Sequence, residues 1–268
     1  MPEAAEEAVD ASVASYRENG YARLGQVIDD RWLASLRERT DDLMLGRVAY
    51  DGLFFQHDAE SYQDLTYGRG YVGPSLTYRK LEKLEKDPLF FAHLQNPLFE
   101  RVARKVIDGA ISIYRATIFN KATEGSSALP WHQDGGSYWG LDREPVLQIW
   151  TALDDAPIGG GCVEVVRGSH AAGLATPLGG VIQPDILAAR GAETLAEPLP
   201  ARAGEVMLIH NHLWHRSGKN TSGRARRAFT VCYMSAETRC RRTKRAPRQF
   251  TRVFENGVSP QLHESPPG

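Results

Sequence analysis

Trp131-His132-Gln133-Asp134-Gly135-Gly136 is the stretch on which the reading of this chain turns. His132 and Asp134 stand two residues apart. On an extended backbone, side chains at i and i+2 leave from one face, so an imidazole and a carboxylate converge on a common point. A third group of the right kind, His215, lies 81 residues beyond Asp134. Two histidines and one carboxylate form the facial triad that holds ferrous iron and leaves coordination positions open. In a chain with eight histidines an H-x-D pair alone is weak; the surroundings of His215 strengthen it. The apolar run Glu205-Val206-Met207-Leu208-Ile209 leads through His210-Asn211-His212-Leu213-Trp214 into His215, which puts His215 just past a buried strand. Ser217 and Asn220 follow, and Arg226 opens the next strand-like run. An arginine there can fork onto a carboxylate, where a lysine offers only a point charge. Ser217 adds a hydroxyl donor. His210 and His212 could share a strand face and bind zinc, but no fourth cysteine or histidine stands at a matching spacing.

Working outward, residues 110–119, 146–153, 162–166, 205–209 and 228–234 are short apolar, β-branched runs. Pro130, Pro145, Pro157 and Gly159-Gly160-Gly161 punctuate them as turns. The first half reads as helical. Residues 11–19 close on Gly20, which suits a left-handed cap, and residues 21–24 alternate like a short strand. Asp29 or Asp30 caps a second helix carrying Leu33, Leu36, Leu43 and Met44. A third helical region, 76–107, is interrupted at Pro88 and Pro97. Residues 50–72, with Phe54, Phe55, His57, Tyr62, Tyr67 and Tyr71, read as a long loop or lid, or equally as packed surface aromatics. Helices first and many strands afterwards predict a mainly β fold, an antiparallel barrel or sandwich buttressed by N-terminal helices. The chain reads as one domain, 1–268. Residues 1–109 form the helical buttress and lid, 110–238 the β core, and 239–268 a basic, then Pro- and Gly-rich tail, loosely held.

Composition excludes several classes. At 268 residues, with 42% hydrophobic and 24% charged, the chain can bury a sizeable core. A net charge of −1 gives no reason to expect nucleic acid or an anionic membrane as partner. No apolar run approaches the ~18 residues of a spanning helix, and Met1-Pro2-Glu3 is acidic rather than signal-like. Scattered Cys162, Cys232 and Cys240 read as reduced thiols in a cytoplasmic protein. The basic run Arg239, Arg241, Arg242, Lys244, Arg245 and Arg248 reads as a solvated face; the sharper alternative is an anionic substrate such as a CoA thioester, phosphate or carboxylate. High Ala, Gly and Arg content points to a GC-rich bacterial source and a biosynthetic tailoring role. The oligomeric state is not legible.

Over nearly its whole length the chain resembles the phytanoyl-CoA dioxygenase family of iron(II)/2-oxoglutarate-dependent oxygenases. Arg17-Glu18-Asn19-Gly20-Tyr21 looks like that family's opening helix-to-strand turn, and Asn120-Lys121 like its N-K pair ahead of the H-x-D. Trp150-Thr151-Ala152-Leu153 follows at the expected spacing, and Gly161-Cys162 with Gly168-Ser169-His170 looks like its G-C … P-G-S-H hairpin. His215, Ser217, Asn220 and Arg226 fit its H-x-S-x-x-N-x5-R signature. The resemblance implies a double-stranded β-helix (jelly-roll, cupin-like) core. It makes His132, Asp134 and His215 the iron(II) ligands and 2-oxoglutarate and O2 the co-reactants. Arg226 pairs with the distal carboxylate of 2-oxoglutarate, aided by Ser217, and Trp150 and Thr117 line the cosubstrate pocket. Gln148, on the strand face of Trp150, is expected to meet a small-molecule substrate, together with Tyr138, Trp139 and the lid residue Phe55; closing the barrel end is an equal alternative for Tyr138 and Trp139.

The implied reaction is hydroxylation of a C–H bond, with decarboxylation of 2-oxoglutarate to succinate and CO2. Asp134 is intact where halogenating relatives carry a small residue, which favours hydroxylation over chlorination. Desaturation, epimerisation and ring formation would use the same residues. Val166-Arg167-Gly168-Ser169 departs from the family, which has proline before Gly-Ser; this touches a turn and not the iron. Two readings from other classes stand beside this one: a non-catalytic cupin-like binding module, and a hydrolase or isomerase using zinc or another metal without a keto acid. Arg226 is the residue that separates them.

Overall fold

The computed structural model describes residues 3–66, 69–123, 126–243 and 248–256; Tyr67, Lys244, Arg245 and the Pro- and Gly-rich end lie outside the described residues. Helix α1 (Glu3–Asn19) stops where Gly20 takes a φ of +81°, its N–H donating to Tyr16 O. Strand β1 (Tyr21–Gln26) follows, then α2 (Asp30–Met44), capped by the Asp29 carboxylate, which accepts from Trp32 N at 2.8 Å. Next come β2 (Phe54–His57) and β3 (Tyr78–Glu82). Pro88 and Pro97 then each occupy the first turn of a helix, α3 (Pro88–Leu94) and α4 (Pro97–Val106), capped by Asp87 and Asn96.

The chain continues through β4 (Ile111–Lys121), β5 (Leu129–Gln133), β6 (Leu147–Ala152), β7 (Val163–Val166), β8 (Gly180–Val181), α5 (Pro184–Arg190) and β9 (Ala196–Leu199). It closes with β10 (Glu205–His210), β11 (His215–Ser217), β12 (Arg226–Ser235) and β13 (Thr251–Phe254). The strands form two antiparallel sheets. The larger runs β1-β10-β6-β12-β4-β3-β2, with β13 also beside β4; the smaller runs β8-β5-β11-β7-β9. The larger sheet therefore draws strands from both sides of residues 110–238.

Alternation sorts the larger sheet's side chains. Leu147, Ile149, Val206, Leu208, Phe229, Val231 and Tyr233 pack outward against Leu36, Phe90, Phe99 and Val102 of the helices. Trp150, Ala152, Met207, Ile209 and Ala228 face inward onto Val163, Val165 and Leu199 of the smaller sheet. Both faces are buried, so β6 is apolar almost throughout and every one of its residues is buried. Gln148 and Trp150 sit among the inward positions.

Three expectations are corrected. Residues 78–82 form a strand, not the start of a helix: Lys80 and Glu82 pair with each other and lie beside Phe119 and Thr117 of β4. Phe55 is 4% exposed in the helix-side core, between Tyr71 (5.3 Å) and Tyr78 (4.8 Å), and lines no part of the inter-sheet cavity. The tail is not loose where it is described. β13 pairs with β4, Arg239 N donates to Asp142 Oδ1 at 2.7 Å, and Arg241 N donates to Gly140 O at 2.7 Å. At the departure from the family's proline, Arg167 reaches Glu197 at 3.1 Å and the turn proceeds through Gly168 at φ +69°.

Candidate metal centre

β5 and β11 lie side by side in the smaller sheet, with His132 directly opposite His215 in register and ring centroids 4.0 Å apart. Asp134 comes one residue after β5, tied down where its N–H donates to Asn211 O at 2.8 Å. The chain must then turn sharply. Gly136 has φ +79°, and a Cβ there would lie 2.4 Å from Leu178 O, so the glycine of the motif is sterically required. Ligand atoms of His132, Asp134 and His215 all lie within 4.8 Å of one another, and no other such group of three forms among the described residues. His210 and His212, the alternative pair, do not join one.

The donor set is prepared for a cation. His132 Nδ1 lies 2.9 Å from Pro130 O, and His215 Nδ1 lies 2.8 Å from Leu213 O. A carbonyl only accepts, so each Nδ1 carries the proton and each Nε2 keeps its lone pair for a metal. His215 Nε2 stands 3.8 Å from Asp134 Oδ2. Burial, and then the neighbouring His215, lower the pKa of His132 to about 3, so it is neutral at ordinary pH. Burial alone would raise the Asp134 pKa. Arg115 above all, with the two histidines and Gln148, instead holds its carboxyl well below the usual carboxylate range. Arg115 Nη2 donates to Oδ1 at 2.9 Å and Gln148 Nε2 to Oδ2 at 2.8 Å. A neutral His132 imidazole, a second imidazole whose Nδ1 faces a carbonyl, and an ionised carboxylate suit a divalent transition metal.

Deeper in the same cavity, Arg226 pairs in register with Lys121 and is 3% exposed. Its Nη2 donates to Gly161 O at 2.7 Å, while its Nε is buried without a partner among the described residues. Gly161 can be nothing larger, since a Cβ there would lie 2.5 Å from Gly218 O. Burial lowers the Arg226 pKa to about 10. Burial, Arg226 and Arg79 lower that of Lys121 to about 7. Leaving a buried donor unpaired costs about 1–3 kcal/mol, which an anion here would recover. Ser217, Trp150 and Gln148 line this cavity with Arg226, and Tyr138 and Trp139 line its mouth. Thr117, opposite Thr230, is fully buried and does not line the cavity; neither hydroxyl has a partner among the described residues. Asn220 has a framework task, its Nδ2 donating to the carbonyls of Lys121, Ala122 and Arg224.

Sequence reasoning missed Arg115, Thr230, Lys80 and Arg79 as wall residues. Bulges explain two of them. Register slips leave Tyr114 and Arg79 as extra residues in β4 and β3, which turns Tyr114 and Arg115 to one side and Arg79 and Lys80 to one cavity. The available signal was a lone arginine inside the apolar run 110–119, since charge in a buried strand needs a reason.

Facing antiparallel sheets with this centre between them define a jelly-roll protein built around a facial metal triad. The chain belongs to the phytanoyl-CoA dioxygenase family, whose profile matches residues 16–228. It is 30% identical over 161 residues to phytanoyl-CoA dioxygenase domain-containing protein 1 of Bos taurus, covering 56% of this chain and 54% of that one. The chain thus spans little more than half the length of that curated relative. Among solved structures it is similar in fold to EctD from S. alaskensis in its apoform (TM-score 0.72, 18% identity, 92% of this chain and 85% of that one). It is also similar to SnoK, a non-heme α-ketoglutarate-dependent carbocyclase from nogalamycin biosynthesis (TM-score 0.68, 21% identity, 91% and 96%). No helix among the described residues is long and apolar enough to cross a membrane.

Proposed function

We propose that the protein is an iron(II)/2-oxoglutarate-dependent oxygenase that hydroxylates a C–H bond of a small molecule in bacterial secondary metabolism. The observation that carries this reading is the meeting, in one cavity, of the His132–Asp134–His215 triad with a buried arginine whose Nε has no partner among the described residues. His132, Asp134 and His215 would hold the iron, and Arg226 with Ser217 would hold the distal carboxylate of 2-oxoglutarate. Iron with 2-oxoglutarate and O2 supplies the oxidising power, yielding succinate and CO2 alongside the oxidised product.

The chain's own residues do the rest. Each imidazole is fixed in the tautomer that offers Nε2, and Arg115 and Gln148 hold Asp134 ionised and oriented. Trp150 and Ile209 exclude water from the cosubstrate end, while Tyr138 and Trp139 bound the substrate end. Hydrogen abstraction needs no protein base, and among the described residues lining the cavity no hydroxyl or thiol is hydrogen-bonded to a histidine or carboxylate base. A hydrolase or a binding module would leave Arg226 without a task. The test is succinate release from 2-oxoglutarate, expected to require added iron(II) and to vanish in His132→Ala. Iron-independent release, or full activity in that variant, would remove the reading.

A further inference from the structure

One cation of the cavity is wired toward the space where a substrate must lie. Arg115 lines the cavity and spends a single N–H on the protein, Nη2 to Asp134 Oδ1 at 2.9 Å. Its Nε is buried and unpartnered among the described residues, where Nη1 makes no hydrogen bond either. A guanidinium has five N–H donors in a planar fork, and that fork matches a carboxylate. The plane is also fixed. Trp139 lies 4.7 Å from the Arg115 guanidinium and stacks on Tyr114 at 4.2 Å and 8°. Arg248 sits 4.7 Å from the Tyr114 ring and donates to Tyr114 O. The loop carrying Trp139 is fastened by the tail, where Arg241 N meets Gly140 O and Arg242 Nη2 meets Tyr138 O at 2.6 Å.

The surroundings complete the picture. The cavity wall carries six Lys and Arg residues against one carboxylate, Asp134. Lys80 pairs with Glu82, and Arg216 with Glu164 and Glu193; Arg115 makes its one ion pair with the shared Asp134, and Glu82, already paired with Lys80, adds to the field around it. At the rim, Tyr138 is 61% and Val181 39% exposed, and Leu178, 59% exposed, lies beside Tyr138, whose N–H donates to its carbonyl, an apolar border beside a cationic interior.

We propose that Arg115 is the substrate anchor, a fork that binds the carboxylate of a small acid whose apolar part rests against Tyr138, Leu178 and Val181. This rests on the metal-centre reading above. It gives Trp139 the task of holding the guanidinium plane rather than stacking on the substrate, and it makes the basic tail the strap that keeps Trp139 in place.

The test uses the full chain loaded with iron(II) and 2-oxoglutarate under nitrogen. The probes are hexanoate, phenylacetate and indole-3-acetate, each beside its primary amide. Binding is followed by calorimetry and by perturbation of the metal-to-ligand charge-transfer band. Carboxylates are expected to bind saturably and perturb the band, and amides to bind at least about tenfold more weakly. Arg115→Lys keeps a charge beside Asp134 and removes the fork; compared at iron(II) concentrations high enough to restore the band, it should lose carboxylate affinity about tenfold. Trp139→Leu should lose part of that affinity with the band intact. Equal binding of acids and amides, no binding by any acid, or full carboxylate affinity in Arg115→Lys would overturn the anchor. A band that never forms in the parent protein would overturn the metal-centre reading, and the anchor with it.

Discussion

Two clusters of histidines stand among the described residues, and only one of them is built as a site. His132 and His215 face each other across paired strands at 4.0 Å. His170, His210 and His212 crowd together almost as closely, at 4.8 and 5.3 Å between rings. The difference is in what each nitrogen is already doing. In the first group both Nδ1 atoms bond to the carbonyl two residues back, and both Nε2 atoms turn toward one ionised carboxylate. In the second, His210 Nδ1 accepts from His212 N and His170 Nε2 meets Arg17 O, so the lone pairs point to separate places. The nearest carboxylate, Glu144, stands 3.8 Å from His212 alone. Histidine density does not make a metal site; matched tautomers and a shared carboxylate do.

Breaking either side of this comparison tests it. The largest effect is expected from His132→Ala or Asp134→Ala, which should lower iron(II) affinity by about 100-fold or more in equilibrium titration, whereas His210→Gln should change it by no more than about twofold. Comparable losses in both would erase the distinction. Next is Arg226→Ala. Truncating one partner of a buried ionic contact costs about 2–5 kcal/mol, so the 2-oxoglutarate dissociation constant should rise by about 30-fold or more while iron binding persists. Then Gln148→Leu, which strips one of the two hydrogen bonds holding Asp134, should weaken iron binding about tenfold without changing the fold seen by circular dichroism.

The smallest effect is on stability against pH, and here the two groups behave alike. Burial foremost lowers His93, His132 and His210 to pKa values of about 3, and unfolding returns each to about 6.5. Between those values the unfolded chain binds more protons, so stability falls as pH falls through the window from about 6.5 to 3. The melting temperature of the metal-free protein should therefore drop on acidification from pH 7 to 4.5, with a shallower slope in His210→Gln. A flat profile would mean that these rings are not buried neutral.

How much of this was legible follows from which residues carry two messages. The triad was readable because H-x-D alternation is local, and β6, β10 and β12 were readable because apolar residues fill both of their faces. Pro88 and Pro97 announced helix starts because proline suits the first turn. β3 reads as helical in sequence because Lys80 lines a cavity and Glu82 pairs with it, and alternating Lys and Glu look like a helix surface. Phe55 was drawn to the site by an aromatic-rich neighbourhood that packs into the core instead. In β4 the bulge at Tyr114 turns Arg115 to the cavity side while Ile111 and Ile113 face the helices; Thr117 shares the face of Arg115 but does not reach the cavity. Register slips of one residue leave no trace in composition, and neither does a tail that pairs with a strand more than a hundred positions away.

The central claim is that a metal triad and a buried arginine serve one small-molecule cosubstrate, and one anaerobic spectrum addresses it directly. Iron(II) is added to the metal-free protein, then 2-oxoglutarate, and the visible region is recorded. A charge-transfer band requiring both additions, and lost in Arg226→Ala at the same 2-oxoglutarate concentration, is the predicted result. A centre that binds iron yet gives no band, or one whose band is unchanged in Arg226→Ala, would contradict the account.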